Sequence, residues 1–337
     1  DKIASTVHRN CASGMESVTT AYEKISAGTR EIIIAGGTES MSNSPLLFDK
    51  KFGDLLLELK KSKTIIEKLK NLLKFRPSHF KPKFGLALGL TDSTSGLNMG
   101  QTAELLAKEF GITRKEQDEF SLTSHLNAIK AKDKLREEIV PVYVPPEYKK
   151  WIDYDNGPRE NQTIEALAKL PPYFDRHTGS VTVGNSCQVT DGAVALLVMK
   201  ESKAKELGYE PLGYLRYFFY VGLDPKRMGL GPAYAIPAVL KKAGLTLKDI
   251  QLIEINEAFA AQIIACERLM ISNNVGKINR EILNVNGGAI ALGHPVGATG
   301  GRLILTLLKE MKRRNLTLGL ASLCVGGGQG AALILER

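Results

Sequence analysis

Apolar residues recur at helical spacing close to the start of the chain, in the stretch NCASGMESVTTAYEKISAGT. Met15, Val18 and Ile25 share one face of the helix that this spacing predicts. The next stretch, EIIIAGG, is short and apolar, which predicts a buried strand that ends at Gly36 and Gly37. The order is therefore loop, helix, strand and glycine turn.

The last fifty residues repeat this order. The glycine loop NVNGGAIALGHPVGATGG precedes a predicted helix with Leu303 and Leu307 on one face, and the strand LGLASLCV then ends at Gly326. The recurrence indicates an internal duplication of one α/β unit, which would bring both loops to one cleft. Cys11 opens the helix of the first unit, and Cys324 closes the strand of the second.

Residues 41–189 show a different sequence pattern, in which predicted helices alternate with loops rich in proline and glycine. One helix is predicted through Leu105, and a second is capped by Thr113 with Glu116 three residues later. A strand followed by a helix returns at about residue 190. We therefore predict a first half at residues 1–40 and 190–211, a loop domain at residues 41–189 and a second half at residues 212–337.

The composition fits a protein with a large core, since 43% of the 337 residues are hydrophobic. No apolar run approaches the roughly 18 residues of a membrane span, and no signal peptide is visible. The spacing of the cysteines and histidines fits neither a zinc site nor a disulfide framework, so we predict no metal and a reducing compartment. The four cysteines are Cys11, Cys187, Cys266 and Cys324.

The net charge of +9 is concentrated in residues 49–83, which contain eleven Lys or Arg and four Asp or Glu. A charge confined to one segment, without interleaved aromatic residues, does not favour a nucleic-acid surface. Within this segment, residues 55–76 predict a basic amphipathic helix with Ile65, Leu69 and Leu72 on its apolar face. The helix either packs on its own domain or contacts a membrane surface or a partner subunit.

Cys11 is a candidate nucleophile because it stands where the first helix begins. The helix dipole and the free N–H groups lower the pKa of a thiol at that position and favour the thiolate. The small residues Ala12, Ser13 and Gly14 leave room for a substrate. The alternative is a buried structural cysteine.

His294 and Asn256 lie at two further positions that suit chemistry. His294 stands between glycines and before Pro295, so a stiff loop presents it as a donor to an oxyanion or as a partner for a thiol. It could instead only stabilise the loop. Asn256 and Glu257 follow a buried strand, where α/β proteins place ligand groups, although Asn is also a good helix cap.

Cys324 is followed by three glycines, whose N–H groups form a nest for an oxyanion. If Cys324 faces Cys11, one sulfur can be the nucleophile and the other the acid and base.

Four stretches in this order, NCASGMES, NEAFAAQ, GGAIALGHPVGATGG and CVGGGQGAA, resemble the thiolase family of acetyl-CoA C-acyltransferases. VTVGNSCQVTDGA also resembles thiolase sequence, so the resemblance covers nearly the whole chain. It implies an α/β thiolase fold, with two duplicated halves, mixed sheets in αβαβα layers and an inserted loop domain. The basic insertion is most similar to the β-subunits of trifunctional multienzyme complexes, although NEAF replaces the HEAF that is usual there.

The resemblance also implies roles for individual residues. Cys11 would take the acyl group as a thioester, after activation by His294, which would also donate to the thioester oxygen. Cys324 would be the general acid and base. Asn256 would hold a water that completes one oxyanion hole, and the N–H groups of Cys11 and Gly326 would form another. The pantetheine arm of CoA would run past Leu90, Met99, Val183, Cys187, Ala258 and Phe259.

Two positions depart from the family pattern along this CoA path. Cys187 stands where the family usually has serine, and Asn98 stands where biosynthetic thiolases usually have histidine.

The activity implied is CoA-dependent cleavage of 3-ketoacyl-CoA in fatty-acid β-oxidation, with CoA as substrate and no permanently bound cofactor. The alternatives are a biosynthetic thiolase that condenses two acetyl-CoA, and a non-catalytic scaffold or membrane-docking subunit. The resemblance implies a homodimer or tetramer, with a multienzyme partner subunit or a membrane surface contacting residues 55–76. Bacterial cytoplasm and mitochondrial matrix both fit, and secretion does not.

Thiolases carry several tens of residues before the nucleophile, and this chain has ten. We therefore expect the sheet of the first half to lack strands and to have open edges.

Overall fold

The computed structural model of the protein describes residues 2–337. Its helices are α1 (Ser13–Ser26), α2 (Lys50–Lys61), α3 (Ile65–Leu72), α4 (Gly85–Gly89), α5 (Met99–Glu109), α6 (Arg114–Lys130), α7 (Lys132–Arg136), α8 (Ile164–Ala168), α9 (Glu201–Glu206), α10 (Gly231–Ala243), α11 (Ala260–Ser272), α12 (Ala289–Leu292) and α13 (Thr299–Arg314). Its strands are β1 (Ile32–Ser40), β2 (Leu46–Leu47), β3 (Lys83–Phe84), β4 (Val142–Tyr143), β5 (Trp151–Ile152), β6 (Asp191–Met199), β7 (Tyr214–Gly222), β8 (Leu252–Ile255), β9 (Leu318–Val325) and β10 (Gln329–Glu336).

The larger sheet has the strand order β7-β10-β9-β8 and is mixed. Strand β10 is antiparallel to both β7 and β9, whereas β8 runs parallel to β9. Successive side chains of β9 point to opposite faces, so Leu320 and Cys324 join the core beneath α10 and α11, while Ala321 and Leu323 join the core beneath α13. Both faces of this sheet are therefore buried, and Cys324 lies on the α11 side.

The smaller sheet pairs β1 with β6 in antiparallel register, from Ile32 opposite Met199 to Ser40 opposite Asp191. One face packs on α1 and α13. On the other face, Ile34 is 77% exposed and Leu197 is 51% exposed. Within residues 2–337 this half thus has two paired strands where the second half has four.

Helices α1 and α13 pack against each other between the two sheets. Helix α1 contacts β1 and β6, while α13 contacts β6, β8 and β9. The helices approach closely because a Cβ atom on Gly14 would lie only 2.8 Å from the backbone nitrogen of Gly301. The predicted α/β class with mixed sheets is confirmed, whereas the domain boundaries stay a prediction.

The prediction that β1 ends at its glycine pair is wrong, since the strand continues to Ser40. A Cβ atom on Gly37 would overlap the carbonyl oxygen of Gly297 in the loop before α13. Glycine at this position therefore permits the close approach of the second half and does not form a turn.

The inserted segment contains α2 to α8, and its predicted capping box is present. Glu116 N donates to Thr113 Oγ1 at 3.2 Å, and Thr113 N donates to Glu116 Oε2 at 2.8 Å. These bonds start α6, and the preceding predicted helix is α5.

The basic segment forms two helices, so the prediction of a single amphipathic helix over residues 55–76 is wrong. Thr64 has extended backbone and caps α3 in a capping box with Glu67, which separates α3 from α2. Asn71 then donates to Ser62 Oγ at 2.9 Å and Lys74 pairs with Glu58 at 2.8 Å, which folds α3 back along α2. We name residues 50–76 the basic hairpin.

Of the helices in residues 2–337, none combines the length and the apolar character that a membrane crossing needs.

Candidate active site

Cys11 lies in the 3-10 turn Asn10–Ala12, directly before α1. The hydroxyl of Ser13 holds this turn, since it donates to Asn10 O at 2.8 Å and accepts from Arg9 N at 3.0 Å. The thiol is partly buried. Cys11 therefore precedes the helix by two residues, close to the free N–H groups of its first turn.

The expected lowering of the Cys11 pKa is wrong, because burial raises it above the ordinary value. The backbone N–H groups of Gly326 and of Cys11 itself lower the pKa in part, while the negative charge of Glu39 raises it further. The resting thiol is thus protonated at neutral pH. A base must remove its proton before it can act as a nucleophile.

Cys324 is buried near the end of β9, and its thiol shares the surroundings of Cys11. Burial raises the pKa of Cys324 well above its ordinary value, and the neighbouring thiols of Cys11, Cys266 and Cys187 raise it further. Because each thiolate disfavours the other, only one of the sulfurs of Cys11 and Cys324 carries a negative charge at a time. The structure therefore brings the two predicted cysteines to one site.

His294 lies between α12 and α13 and is only 5% exposed. Thr299 Oγ1 donates to Pro295 O at 2.9 Å and lies 2.6 Å from His294 Nδ1. With the threonine hydroxyl donating to Pro295 O, Nδ1 is the donor to the threonine oxygen, and we assign the ring this tautomer. The other ring nitrogen, Nε2, therefore carries the free lone pair, and it has no hydrogen-bond partner among the described residues.

Burial and the positive charge of Arg302 lower the pKa of His294 to about 4. The ring is neutral at physiological pH, with Nε2 ready to accept a proton. His294 is thus a base in the resting state, and it becomes a donor only after it has taken a proton.

Asn256 follows β8 directly, and its N–H donates to Ser322 O at 3.0 Å. Helix α11 begins at Ala260, with Phe259 before it, so Asn256 does not cap the helix. Both side-chain atoms, Nδ2 and Oδ1, are buried without a partner among residues 2–337. An amide left in this state is available to a water or a substrate.

Glu257, the residue after Asn256, anchors this strand end through hydrogen bonds to other segments. Its carboxylate accepts from Ser124 Oγ at 2.6 Å, from Asn284 Nδ2 at 2.8 Å and from Ile290 N at 3.2 Å. These bonds tie Asn256 to the loop that leads into α12 and His294. Sequence reasoning named Glu257 without a role, and the only signal for one was its place beside Asn256.

Glu39 links the Cys11 side of the site to the His294 loop, and sequence reasoning missed it. Gly297 N donates to Glu39 Oε2 at 3.1 Å, and the charge of Glu39 raises the pKa of Cys11. Cys324 follows Ser322, the partner of Asn256, by two residues. The predicted residues Cys11, His294, Cys324, Asn256 and Gly326 therefore converge where the two halves meet.

Two family models divide the chain between them. The model described as "Thiolase, N-terminal domain" matches residues 1–202, and that described as "Thiolase, C-terminal domain" matches residues 209–337. The chain belongs to the thiolase family.

Named relatives agree with this assignment along the whole chain. The 3-ketoacyl-CoA thiolase of Aliivibrio fischeri strain MJ11 is 44% identical over 346 residues, which cover 99% of this chain and 78% of that protein. The structure of acetyl-CoA acetyltransferase from Syntrophomonas wolfei matches with a TM-score of 0.87 at 39% identity, covering 99% of this chain and 79% of that one. Human mitochondrial 3-ketoacyl-CoA thiolase in complex with CoA matches with a TM-score of 0.84 at 36% identity, covering 98% and 77%.

The residues expected along the CoA path of this thiolase lie in two segments, residues 90–99 and 183–187, and at the strand end, residues 258–259. Met99 starts α5, and its N–H donates to Leu90 O at 3.0 Å. The sulfur of Met99 lies close to Gly326, since a Cβ atom added to that glycine would be 3.3 Å from it. In the other segment Cys187 N donates to Ala258 O at 3.0 Å. The first segment therefore borders the glycine turn of the site.

The second segment is fastened to the strand end that carries Asn256. Ser186 forms a β-bridge with Phe259, whose ring contacts Phe174. Burial and the nearby Cys11 raise the pKa of Cys187 to about 12. Val183 precedes Cys187 on the same segment and is 56% exposed, so it lies at the surface. The CoA contacts themselves stay a prediction.

Within residues 2–337, no three His, Cys, Asp or Glu side chains are grouped as a metal site would require.

Proposed function

We propose that this thiolase cleaves 3-ketoacyl-CoA with CoA, giving acetyl-CoA and a shortened acyl-CoA. The observation that carries the proposal is the meeting of Cys11, Cys324 and a glycine N–H donor at one sulfur-lined site between the two halves. The relatives from Aliivibrio and from human mitochondria bear the name of this activity.

In the first step His294 Nε2 takes the proton of Cys11, and the thiolate attacks the 3-keto carbon. The bond between the second and third acyl carbons breaks, which leaves the acyl group on Cys11 as a thioester. The electron pair moves to the acetyl-CoA enolate, whose oxygen accepts from the protonated His294 and from a water on Asn256. Cys324 gives its proton to the enolate carbon, and acetyl-CoA leaves.

In the second step the Cys324 thiolate takes the proton of an incoming CoA thiol, and the CoA sulfur attacks the thioester. The N–H groups of Cys11 and Gly326 stabilise the oxyanion that forms next to the Cys11 sulfur. Collapse of this intermediate releases the shortened acyl-CoA and the Cys11 thiolate, which recovers its proton from His294.

The test is the rate of CoA-dependent cleavage of acetoacetyl-CoA and of a long-chain 3-ketoacyl-CoA. We expect faster cleavage of the long substrate and loss of both reactions in Cys11→Ala. Cys266→Ala is the matched control, because Cys266 is buried on α11 with its thiol donating to Gly229 O at 3.2 Å. A strict preference for the two-carbon acyl group would instead favour the biosynthetic condensation, and no turnover by folded protein would favour a scaffold.

We further propose that the basic hairpin docks on an anionic phospholipid surface, as in a multienzyme β-oxidation assembly at a membrane. On α3 and just after it, Ile65 is 83% exposed, Leu69 is 61% exposed and Leu73 is 81% exposed. Exposed lysines flank this apolar face, among them Lys68 and Lys70. A helix with apolar and basic faces of this kind inserts shallowly into an anionic interface.

Flotation with vesicles that do or do not contain an anionic phospholipid tests this docking. Binding should require the anionic lipid and should be lost in Leu69→Glu. Leu126→Glu is the control, since Leu126 is similarly apolar and 42% exposed on α6. If neither vesicle binds, the surface belongs to a partner subunit.

We also propose a homodimer or tetramer, working in bacterial cytoplasm or mitochondrial matrix with CoA as substrate and without a resident cofactor. Light scattering coupled to size-exclusion chromatography checks the oligomeric state.

A further inference from the structure

The turn that joins β9 to β10 consists of three glycines, Gly326, Gly327 and Gly328. Gly327 has a φ of 90° and Gly328 a φ of 82°, which glycine adopts without strain. Glycine also loses more conformational freedom on folding than any other residue. A turn built this way does not by itself hold the Gly326 N–H in one direction.

That N–H nevertheless has a demanding position, since Gly326 is bound to Asn10, the neighbour of Cys11, and its N–H lowers the pKa of the Cys11 thiol. Donors to a developing oxyanion are effective when they are oriented before the reaction begins. Some other part of the protein must therefore fix the turn.

Two adjacent residues of the first half bind both ends of this turn. Asn10 Nδ2 donates to Gly326 O at 2.7 Å, and Arg9 Nη1 donates to Gln329 Oε1 at 2.7 Å. Both bonds reach from the residues directly before Cys11. The chain directly before the proposed nucleophile is thus hydrogen-bonded to both ends of the glycine turn.

Arg9 is itself held in place from two directions. Its Nε pairs with Glu16 Oε2 at 2.7 Å, and its guanidinium carbon lies 4.2 Å from the ring centre of Tyr220. The charge of this anchor is balanced by Glu16, so its effect on the site is mechanical.

Asn10 has a backbone conformation that few residues other than glycine adopt. Its φ is 43°, in the left-handed region where asparagine is enriched among the non-glycine residues. The same residue therefore bends the chain into Cys11 and carries an amide that reaches Gly326.

We infer that Asn10 is a positioning residue for the reaction, whose amide holds Gly326 so that its N–H stays directed at the Cys11 sulfur. Asn10 acts through Gly326 and touches no reacting atom. This inference rests on the proposed role of Cys11 as the nucleophile.

Asn10→Gly is the sharpest variant, because glycine accepts the left-handed φ and removes only the side chain. We expect kcat to fall about 10- to 100-fold, which is less than the loss of a whole oxyanion donor, with the KM for CoA unchanged. Asn274→Gly is the matched control. Asn274 has a φ of 56° and is exposed after α11, so its variant should keep the full rate.

The pH dependence of Cys11 alkylation by iodoacetamide gives a readout that loss of stability would not move. The Gly326 N–H lowers the pKa of Cys11, so loosening the turn should shift the alkylation midpoint to higher pH. Asn10→Asp is a second variant of the same shape. Its carboxylate cannot donate to Gly326 O, so it should show the same loss of kcat.

The inference is overturned if folded Asn10→Gly and Asn10→Asp match Asn274→Gly in both kcat and alkylation midpoint. Failure of the proposed function gives a different result, which is seen in the Cys11→Ala variant. If Cys11→Ala keeps the activity, the proposed nucleophile is wrong, and the positioning role of Asn10 falls with it.

Discussion

His294 Nδ1 lies 2.6 Å from Thr299 Oγ1, and with that hydroxyl donating to Pro295 O we assign the proton of the imidazole to Nδ1. The threonine belongs to the first turn of α13 and the histidine to the loop before it. The other ring nitrogen, Nε2, which is buried without a hydrogen-bond partner among residues 2–337, is consequently the basic one. The proposed use of His294 as a base therefore depends on Thr299, on the opposite side of the ring.

Replacing Thr299 by valine keeps the shape of the side chain and removes the hydroxyl. We expect kcat to fall by about 10-fold, because both tautomers then compete and the productive one is diluted. Steady-state cleavage of acetoacetyl-CoA measures the change. Thr306→Val is the control, since Thr306 is buried on the same helix and donates to Glu138 at 2.7 Å. It should lose stability by about 1 kcal/mol and keep its kcat.

The low pKa of His294 predicts how the stability depends on pH. Its value of about 4 in the folded protein lies below the 6.5 of the unfolded chain. Between these values the unfolded state binds more protons, so the free energy of unfolding falls as the pH falls through this window. His294→Asn should be less sensitive to acid, by about 2 kcal/mol between pH 7 and pH 5. Urea unfolding at the two pH values measures this difference. An equal change in the free energy of unfolding between pH 7 and pH 5 in both proteins would contradict it.

His125 provides a comparison for that experiment. It is buried on α6, its pKa is also lowered to about 4, by burial and by Arg159, and its Nδ1 accepts from Arg159 N at 3.3 Å. We expect His125→Asn to show the same reduction in acid sensitivity while it keeps its kcat.

Arg302 lies 3.2 Å from the buried carboxylate of Glu254, and its positive charge lowers the pKa of His294. In Arg302→Met the pKa of His294 should rise, since one of its two causes of lowering is gone. An NMR titration of the histidine ring measures it. Glu254 loses its buried partner in the same variant, so the free energy of unfolding should fall by about 3 kcal/mol. Arg216→Met, which breaks an exposed pair with Glu336, should change neither quantity.

Asn256→Asp tests whether the buried amide of Asn256 belongs to an oxyanion site, as we propose. The aspartate has the same size, but a carboxylate cannot favour a negative oxygen next to it, and we expect kcat/KM to fall at least about 100-fold. Asn315→Asp is the control, because Asn315 lies at the exposed end of α13 and far from the thiols in the fold. Equal activity of the two variants would remove Asn256 from the site.

Much of the local structure could be predicted from the order of residues alone. Helices α1, α5, α6 and α13 and strands β6 and β9 follow from periodicities that neighbouring residues create. The capping box of Thr113 was predicted for the same reason, since its partners are three residues apart. The sequence predicted one helix where the basic hairpin has two, because the amphipathic pattern runs on through both. The capping box of Thr64 with Glu67, which divides them, was overlooked.

Local motifs also indicated Cys11, His294, Cys324 and Asn256 as site residues, which stays a prediction, whereas the family is confirmed. Their pKa values could not be predicted, because a pKa depends on burial and on charges that distant segments contribute. The helix start alone indicated a low pKa for Cys11, whereas the buried setting raises it.

The sequence by itself thus determined the family and most of the helices and strands, and it indicated the residues that we propose for the chemistry, since these are local patterns. Only the tertiary structure decided how they act on one another. It places Glu39 between Cys11 and the His294 loop, and it requires glycine at position 37 because a carbonyl of the other half lies there. It also joins Asn10 to Gly326 across 316 positions of the chain, a contact that no spacing along the sequence encodes.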